Sequence, residues 1–430
     1  MKIGVLGGGL AGVSLAYFLK EKGYDVEVLE KESECGGLCR SFSKNGFSYD
    51  LGGHIIFSKD TEILDLMVGM LGNNVQKLYR NNKIWFKNRF VKYPFENGLA
   101  ELDKEEIFEC LNDFINNKHK KPKNFKEWIY YTFGDGLADK YLIPYNEKIW
   151  NCKAETMGLE WVERIPKPPV EDIIKSALGI ETEGYTHQLY FYYPIKGGIQ
   201  ALVEAFETKL NKITFNFAVR SVKKIKVGKK TKWFVSDGKD EREYDRVVSC
   251  LPIFDLADAL DVLPAKIGNT VRKLKYNSLS VVMLGIDRPD KSGKFAVYYP
   301  QKDLPFHRVC FHSYMGPAYA PKGRSLVVAE ITTNEGDGIH EMPDRELVER
   351  ISRGLAKEGF INKKDVCATD VKRMKYGYVV HDLNYGENTK LIKDYFRSFG
   401  IPLCGRFAEF EYLNMDAVVK HSKNLSNKYE

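Results

Sequence analysis

Three glycines, Gly7, Gly9 and Gly12, follow a short apolar run from Lys2 to Leu6, and an acid, Glu30, closes the next apolar run. The chemistry such a set can do is capture of a dinucleotide pyrophosphate. Gly7 permits a tight turn, Gly9 lets the backbone approach the phosphates, and Gly12 lets a helix pack on the strand before it. Leu10 and Ala11 open that helix, whose free N–H groups and positive dipole end face an anion. Glu30, with Lys31 beside it, is placed to accept hydrogen bonds from ribose hydroxyls.

These residues need elements to hold them. The pattern predicts strand over 2–6, helix to about residue 22 and strand over 25–30, the context the glycine fingerprint requires. A hairpin is expected over 42–51. Alternation over 75–95 puts Tyr79, Trp85, Phe86, Phe90, Tyr93 and Phe95 on a sheet, and residues 99–180 read as helical. Strand is expected over 190–194, helix over 200–209, and strands near 214–217, 220–227, 232–236 and 245–252. Beyond them come strands over 278–286, 295–299, 308–312 and 325–331, a helix over 344–358, a strand over 403–407 and a closing helix from Met415.

A chain of 430 residues exceeds one core and predicts two or three domains. Sixty-five basic against 58 acidic residues give only +7, scattered rather than gathered into a stripe, which argues against a nucleic-acid partner. The run from Lys118 to Lys123 reads as solvated surface. No stretch has the roughly twenty apolar residues of a membrane helix. The chain starts on a strand with no signal segment, so the expected location is cytoplasmic. The eight cysteines have no zinc spacing and read as reduced thiols; no metal site is expected.

The stretch Cys35-Gly36-Gly37-Leu38-Cys39-Arg40-Ser41 resembles the Gly-Gly-x-x-Arg-Ser extension of the flavin amine-oxidase superfamily. The resemblance implies FAD as the dinucleotide, with Gly37, Leu38, Arg40 and Ser41 close to its pyrophosphate. Nearly the whole chain further resembles the UDP-galactopyranose mutase family. The residues that carry this are Gly52-Gly53-His54-Ile55-Ile56-Phe57-Ser58, Tyr93-Pro94-Phe95, Pro144-Tyr145-Asn146-Glu147-Lys148-Ile149-Trp150, Val162-Glu163-Arg164, Pro305-Phe306-His307-Arg308, Gly377-Tyr378, and Gly405-Arg406-Phe407 through Tyr412, Asn414 and Asp416.

What that resemblance implies is an α/β fold. A discontinuous Rossmann-like FAD-binding domain covers 1–98, 190–256 and 395–430, an inserted helical domain 99–189, and an antiparallel β-sheet substrate domain 257–394. It implies that Gly53 and His54 lie beside the flavin, and that Val222, Gly405, Arg406, Tyr412, Leu413 and Asn414 also contact FAD. Arg164 and Arg308 match the pair that clamps the substrate diphosphate. Arg406 matches an arginine near flavin and sugar. Asn146, Trp150, Tyr298, Tyr378, Tyr412 and Asn414 match substrate-pocket positions.

The implied reaction interconverts UDP-galactopyranose, or a related nucleotide-hexopyranose, with its furanose. It runs through a covalent adduct between the sugar and N5 of the reduced flavin. A reductant, NADPH or another, must prime the flavin; whether the chain self-associates as a homo-oligomer is open. The chain departs from the family pattern at Ala296, where an aromatic that stacks on uracil is expected, which leaves Tyr185, Phe191 or Tyr192 for that task, and at Lys92, where proline is usual. The alternatives are a flavin oxidoreductase of the amine-oxidase or desaturase kind, sharing every glycine motif, and a flavin-binding scaffold without activity.

Overall fold

The computed structural model describes residues 1–162, 165, 167–183 and 189–429. Arg164 and Tyr185, singled out above, lie outside the described residues. A four-stranded parallel sheet, in the order Arg246–Ser249, Lys2–Leu6, Asp25–Leu29, Ile213–Thr214, forms the base for the glycine turn. Its two central strands are buried from their second residue on, as in a parallel sheet covered on both faces. The helix Leu10–Glu21 packs on one side. The closing helix Met415–Ser426 docks against it through a buried contact, with Ser14 Oγ donating to Ser422 Oγ at 3.0 Å and Ser422 Oγ to the Ala11 carbonyl at 3.2 Å.

The 403–407 segment expected as a strand makes a single bridge, Leu403 to Ser249. Gly405 then adopts φ +110° and the Glu409 N–H donates back to its carbonyl at 2.8 Å, which turns the chain away from the sheet. A three-stranded antiparallel sheet, Ser221–Val227, Lys230–Ser236, Glu241–Tyr244, caps this region.

The large sheet has seven strands among the described residues, ordered Val366–Val380, Lys275–Ile286, Ser325–Thr333, Arg308–Phe311, Ala296–Tyr298, Asn82–Phe86, Arg89–Lys92. Its last two strands come from a segment grouped above with the dinucleotide-binding part. The Ala296–Tyr298 pairing with Asn82–Phe86 is parallel, while the other pairs are antiparallel. Residues 99–180 are helical as expected, with helices Lys104–Ile115, Phe125–Leu137, Ile143–Trp150 and Val170–Ala177. Asp103 and Glu106 form a capping box on the first. The second kinks at Gly134, φ +72°, where a Cβ would lie 2.4 Å from the Asp113 carbonyl oxygen. The elements not read from the sequence include the strands Glu241–Tyr244 and Val366–Val380 and the helices Thr61–Leu71, Ile253–Ala259, Ala265–Lys273 and Tyr385–Phe399. Among the described residues no helix is long and apolar enough to cross a membrane, and no group of His, Cys, Asp and Glu is arranged to hold a metal ion.

Candidate active site

The first helix begins at Gly9 with no side-chain cap and no acid in its first turn, so its leading N–H groups remain open to an anion. A Cβ on Gly12 would fall 1.9 Å from the Gly7 carbonyl oxygen, whereas one on Gly9 would meet only Gly37 Cα, at 4.0 Å. Thus Gly12 is needed for packing, while Gly9 leaves backbone bare. The second glycine turn lies directly on the first: Gly36 N–H donates to the Gly8 carbonyl at 2.9 Å and Gly9 bridges Gly36. Glu30 is buried and accepts from Gly8 N–H at 2.6 Å and Glu32 N–H at 3.0 Å. Gly405 closes against the helix start, its absent Cβ leaving room for Ala11, which it would meet at 2.7 Å. A bare helix terminus between two glycine turns, with a fixed acid at the strand end, fits a dinucleotide's pyrophosphate and ribose.

The flanking residues fall around this cradle unequally. Arg40 is mostly buried beside Glu32 and Glu34, at 4.0 and 3.9 Å. Ser41 Oγ donates to Asp50 at 2.6 Å, and Asp50 also accepts from the Tyr193 hydroxyl and Ile199 N–H. This knits the Arg40-Ser41 segment to the Gly197-Gly198 turn. Lys31 is exposed, Leu38 packs partly against a hydrophobic cluster, and Leu413 is buried. Asn414 stands exposed at the N-terminus of the closing helix. Val222 is a core residue, bridged to Leu260. The segment that reaches the dinucleotide acid lies earlier, where Glu30 N–H donates to Thr214 and Phe217 N–H to Glu30.

The large sheet supplies the charged part of the site. Its register sets Tyr298 opposite Arg308 and Arg308 opposite Glu330, so three polar side chains share one row and one face. Arg308 donates to Glu330 through Nε at 2.7 Å and Nη2 at 2.6 Å, a bidentate pair. Glu330 also accepts from Gly53 N–H at 3.0 Å. Gly53 has no room for a side chain: a Cβ would sit 2.9 Å from Cys310 Sγ and 3.4 Å from the Arg308 guanidinium carbon. The guanidinium is thereby laid against the turn that carries His54.

Burial raises the pKa of Glu330, but the charge and hydrogen bonds of Arg308 outweigh it and hold the carboxyl at about 2. For His54 burial dominates; Glu330 opposes it, Arg308 and Arg406 add to it, and the imidazole pKa falls to about 4. His54 is therefore neutral at ordinary pH. Its Nδ1 is buried and has no hydrogen-bond partner among the described residues. His307 and His312 flank the same carboxylate and are pushed down by burial to about 3 and about 4.

Aromatic rings wall the site. Arg406 Nη2 donates to the Gly377 carbonyl at 3.0 Å, and its guanidinium lies over the rings of Tyr412 and Tyr378. Trp150 stands edge-on to both tyrosines, 5.4 Å from Tyr412 and 5.9 Å from Tyr378. Its Nε1 donates to Asn146 Oδ1 at 3.3 Å, which links the pair from the Pro144–Trp150 stretch. On the other side Tyr298 stacks on Tyr93 at 4.6 Å, takes a hydrogen bond from Asn82 and meets Tyr145 edge-on. Ala296 is buried in its strand and Phe191 is committed to a core contact with Phe295, while Tyr192 is half-buried.

The structure thus brings His54, Arg308, Arg406, Tyr298, Tyr378, Tyr412, Trp150 and Asn146 into one connected region, in which both His54 and Tyr378 feel the charges of Arg308 and Arg406. Glu330 was missed by sequence reasoning. Its signal was a lone acid inside the wholly buried strand Ser325–Thr333.

The chain is similar to proteins of known identity. A crystal structure of reduced UDP-galactopyranose mutase superposes with a TM-score of 0.89 at 25% identity, covering 100% of this chain and 95% of that one. The dTDP-fucopyranose mutase of Escherichia coli is 21% identical over 442 residues, covering 100% of this chain and 98% of its own length. A 4,4'-diapophytoene desaturase of Staphylococcus aureus (strain MRSA252) is 35% identical over 212 residues, 48% of this chain. The chain spans only 54% and 38% of the length of the first curated relatives it matches, the desaturase being the second. The flavin-containing amine oxidoreductase family matches residues 10–374, most of the chain, and the protein belongs to that family of flavin enzymes.

Proposed function

We propose that this chain is an FAD-dependent nucleotide-sugar mutase that interconverts UDP-galactopyranose, or a related nucleotide-hexopyranose, with the furanose form. The observation that carries the reading is the convergence of Arg308 and Arg406 on the one region that holds His54 and the hydroxyls of Tyr298, Tyr378 and Tyr412. A leaving group that is a nucleoside diphosphate develops charge, and planar, permanently charged guanidinium groups with tyrosine hydroxyls are the groups that stabilise it. Flavin chemistry on an amine or a polyene makes no such demand. When bound and reduced, FAD supplies a nucleophilic nitrogen for the anomeric carbon.

The chain's own residues do the rest. Gly7, Gly9, Gly12 and the Gly36-Gly37 turn hold the pyrophosphate, and Glu30 the ribose. Neutral His54 presents beside the turn a nitrogen that has no partner among the described residues, available to orient a polar atom without adding charge. Trp150 and the tyrosines exclude water from the charged region, which strengthens every electrostatic contact in it. Arg164 completes the diphosphate clamp in this reading. The corresponding organisation is the discontinuous FAD-binding unit, helical insert and sheet-based substrate unit set out above, in a cytoplasmic protein primed by an external reductant.

The test is direct. Holoenzyme reduced with dithionite is given UDP-galactopyranose and, separately, dTDP-fucopyranose, and the furanose is sought by chromatography. Turnover by reduced but not oxidised enzyme is expected, and Arg308→Ala should weaken UDP binding by about tenfold or more. No furanose from either substrate, together with oxygen consumption on an amine or polyene, would place the protein with the oxidoreductases.

A further inference from the structure

We propose that Glu330 is a positioning residue, which fixes Arg308 and the Gly53–His54 turn relative to each other so that guanidinium and imidazole keep one geometry over the bound substrate. The inference rests on the functional reading above. Glu330 is 0% exposed in the middle of a buried strand, where a carboxylate is tolerated only if it is paired and hydrogen-bonded. Its two oxygens collect Arg308 Nε and Nη2, the Gly53 N–H and, at 3.4 Å, the Cys310 thiol. Two chain segments far apart in sequence are thus tied through one carboxylate.

The glycines are shaped around it. A Cβ on Gly52 would lie 3.0 Å from Glu330 Oε2, at φ +108°, and Gly53 leaves room for Cys310 and Arg308. The pair therefore gives up side chains so that acid and cation can approach the turn. Among the described residues Glu330 is the ion-pair partner of Arg308. Guanidinium has five N–H donors, and the pair engages the Nε and Nη2 edge, which leaves the Nη1 edge to address a phosphate. The carboxylate thus decides which edge of the cation faces substrate.

A structural ion pair and a positioning residue make different predictions. Removing a merely structural pair lowers stability and flavin content and leaves the activity of each loaded molecule intact. Releasing a positioned guanidinium lowers turnover, because a misplacement of about 1 Å costs up to ~100-fold, while the unmasked charge still attracts the diphosphate.

The experiment uses Glu330→Gln holoenzyme, reduced with dithionite. It measures kcat per bound flavin and KM by furanose formation, and UDP affinity by flavin fluorescence. The expected result is kcat per flavin down by about tenfold or more, with the UDP Kd within about threefold of the parent. A kcat per flavin within about twofold of the parent overturns the inference. Glu330→Asp covers the case in which the glutamine variant does not fold. The shorter acid keeps the charge but cannot span Arg308 and Gly53 together, so kcat per flavin should again fall, and parental kcat overturns the inference. If the parent itself makes no furanose, the functional reading has failed, and UDP titration alone decides for Glu330. UDP binding lost in Arg308→Ala and kept in Glu330→Gln supports positioning; equal loss in both overturns it.

Discussion

The guanidinium carbon of Arg406 lies 4.5 Å from the ring centroid of Tyr412 and 5.3 Å from that of Tyr378, so two aromatic faces share one cation. Its Nη2 is anchored on the Gly377 carbonyl at 3.0 Å. A point charge on a flexible stem cannot satisfy both rings and the carbonyl in the same plane. Arg406→Lys should therefore lower kcat/KM by about tenfold and Arg406→Ala by about 100-fold, the cost of one preorganised donor in a water-excluded site. Steady-state kinetics on the reduced enzyme checks this, and a lysine variant as active as the parent would remove any role for the planar group.

Gly12 tests the cofactor cradle separately from the chemistry. A methyl group there would come within 1.9 Å of the Gly7 carbonyl oxygen, inside the turn itself. Gly12→Ala must push the helix off the strand and should abolish flavin retention, read as loss of the visible flavin absorbance after purification. Gly23→Ala is the control. Nothing among the described residues lies within 4 Å of its added methyl, and although φ +83° makes it strained, flavin content should hold.

Glu96 gives a pH signature. It is 5% exposed, and burial pushes its carboxyl from an ordinary value near 4.5 up to about 7. Because the folded value is the raised one, the stability it contributes is full below pH 4.5 and is lost as pH rises through about 7. By linkage the loss is roughly 3 kcal/mol at most. Glu96→Gln removes it, so urea denaturation should find the variant more stable than the parent at pH 8 and the two equal near pH 4.5. The difference between the two chains isolates this group from His54, His307 and His312, whose depressed values act in the opposite sense as pH falls. A parent–variant gap that does not widen with pH would show that Glu96 ionises freely.

The sequence by itself determined the parts whose physics is local. Gly7 and Gly12 had to be glycines because a turn with φ +100° and a tight helix-to-turn contact occur within a few residues, and the strand-helix-strand unit around them formed as read. His54, Arg308 and Arg406 were visible through the short motifs that surround them. The tertiary structure decided what needed partners from distant segments. Glu330 became the counter-charge of Arg308 through the register between two strands, which no short window contains. The Val366–Val380 strand escaped notice because its first half is partly exposed and mixes charged with apolar residues, so its period was blurred until it paired along Lys275–Ile286. The Asn82–Lys92 hairpin joined the large sheet through a parallel pairing to Ala296–Tyr298, which brought Tyr93 into stacking contact with Tyr298. Backbone conformation and helix capping are set by neighbours in the chain, but the pairing of a buried charge is set by whatever the fold lays across from it.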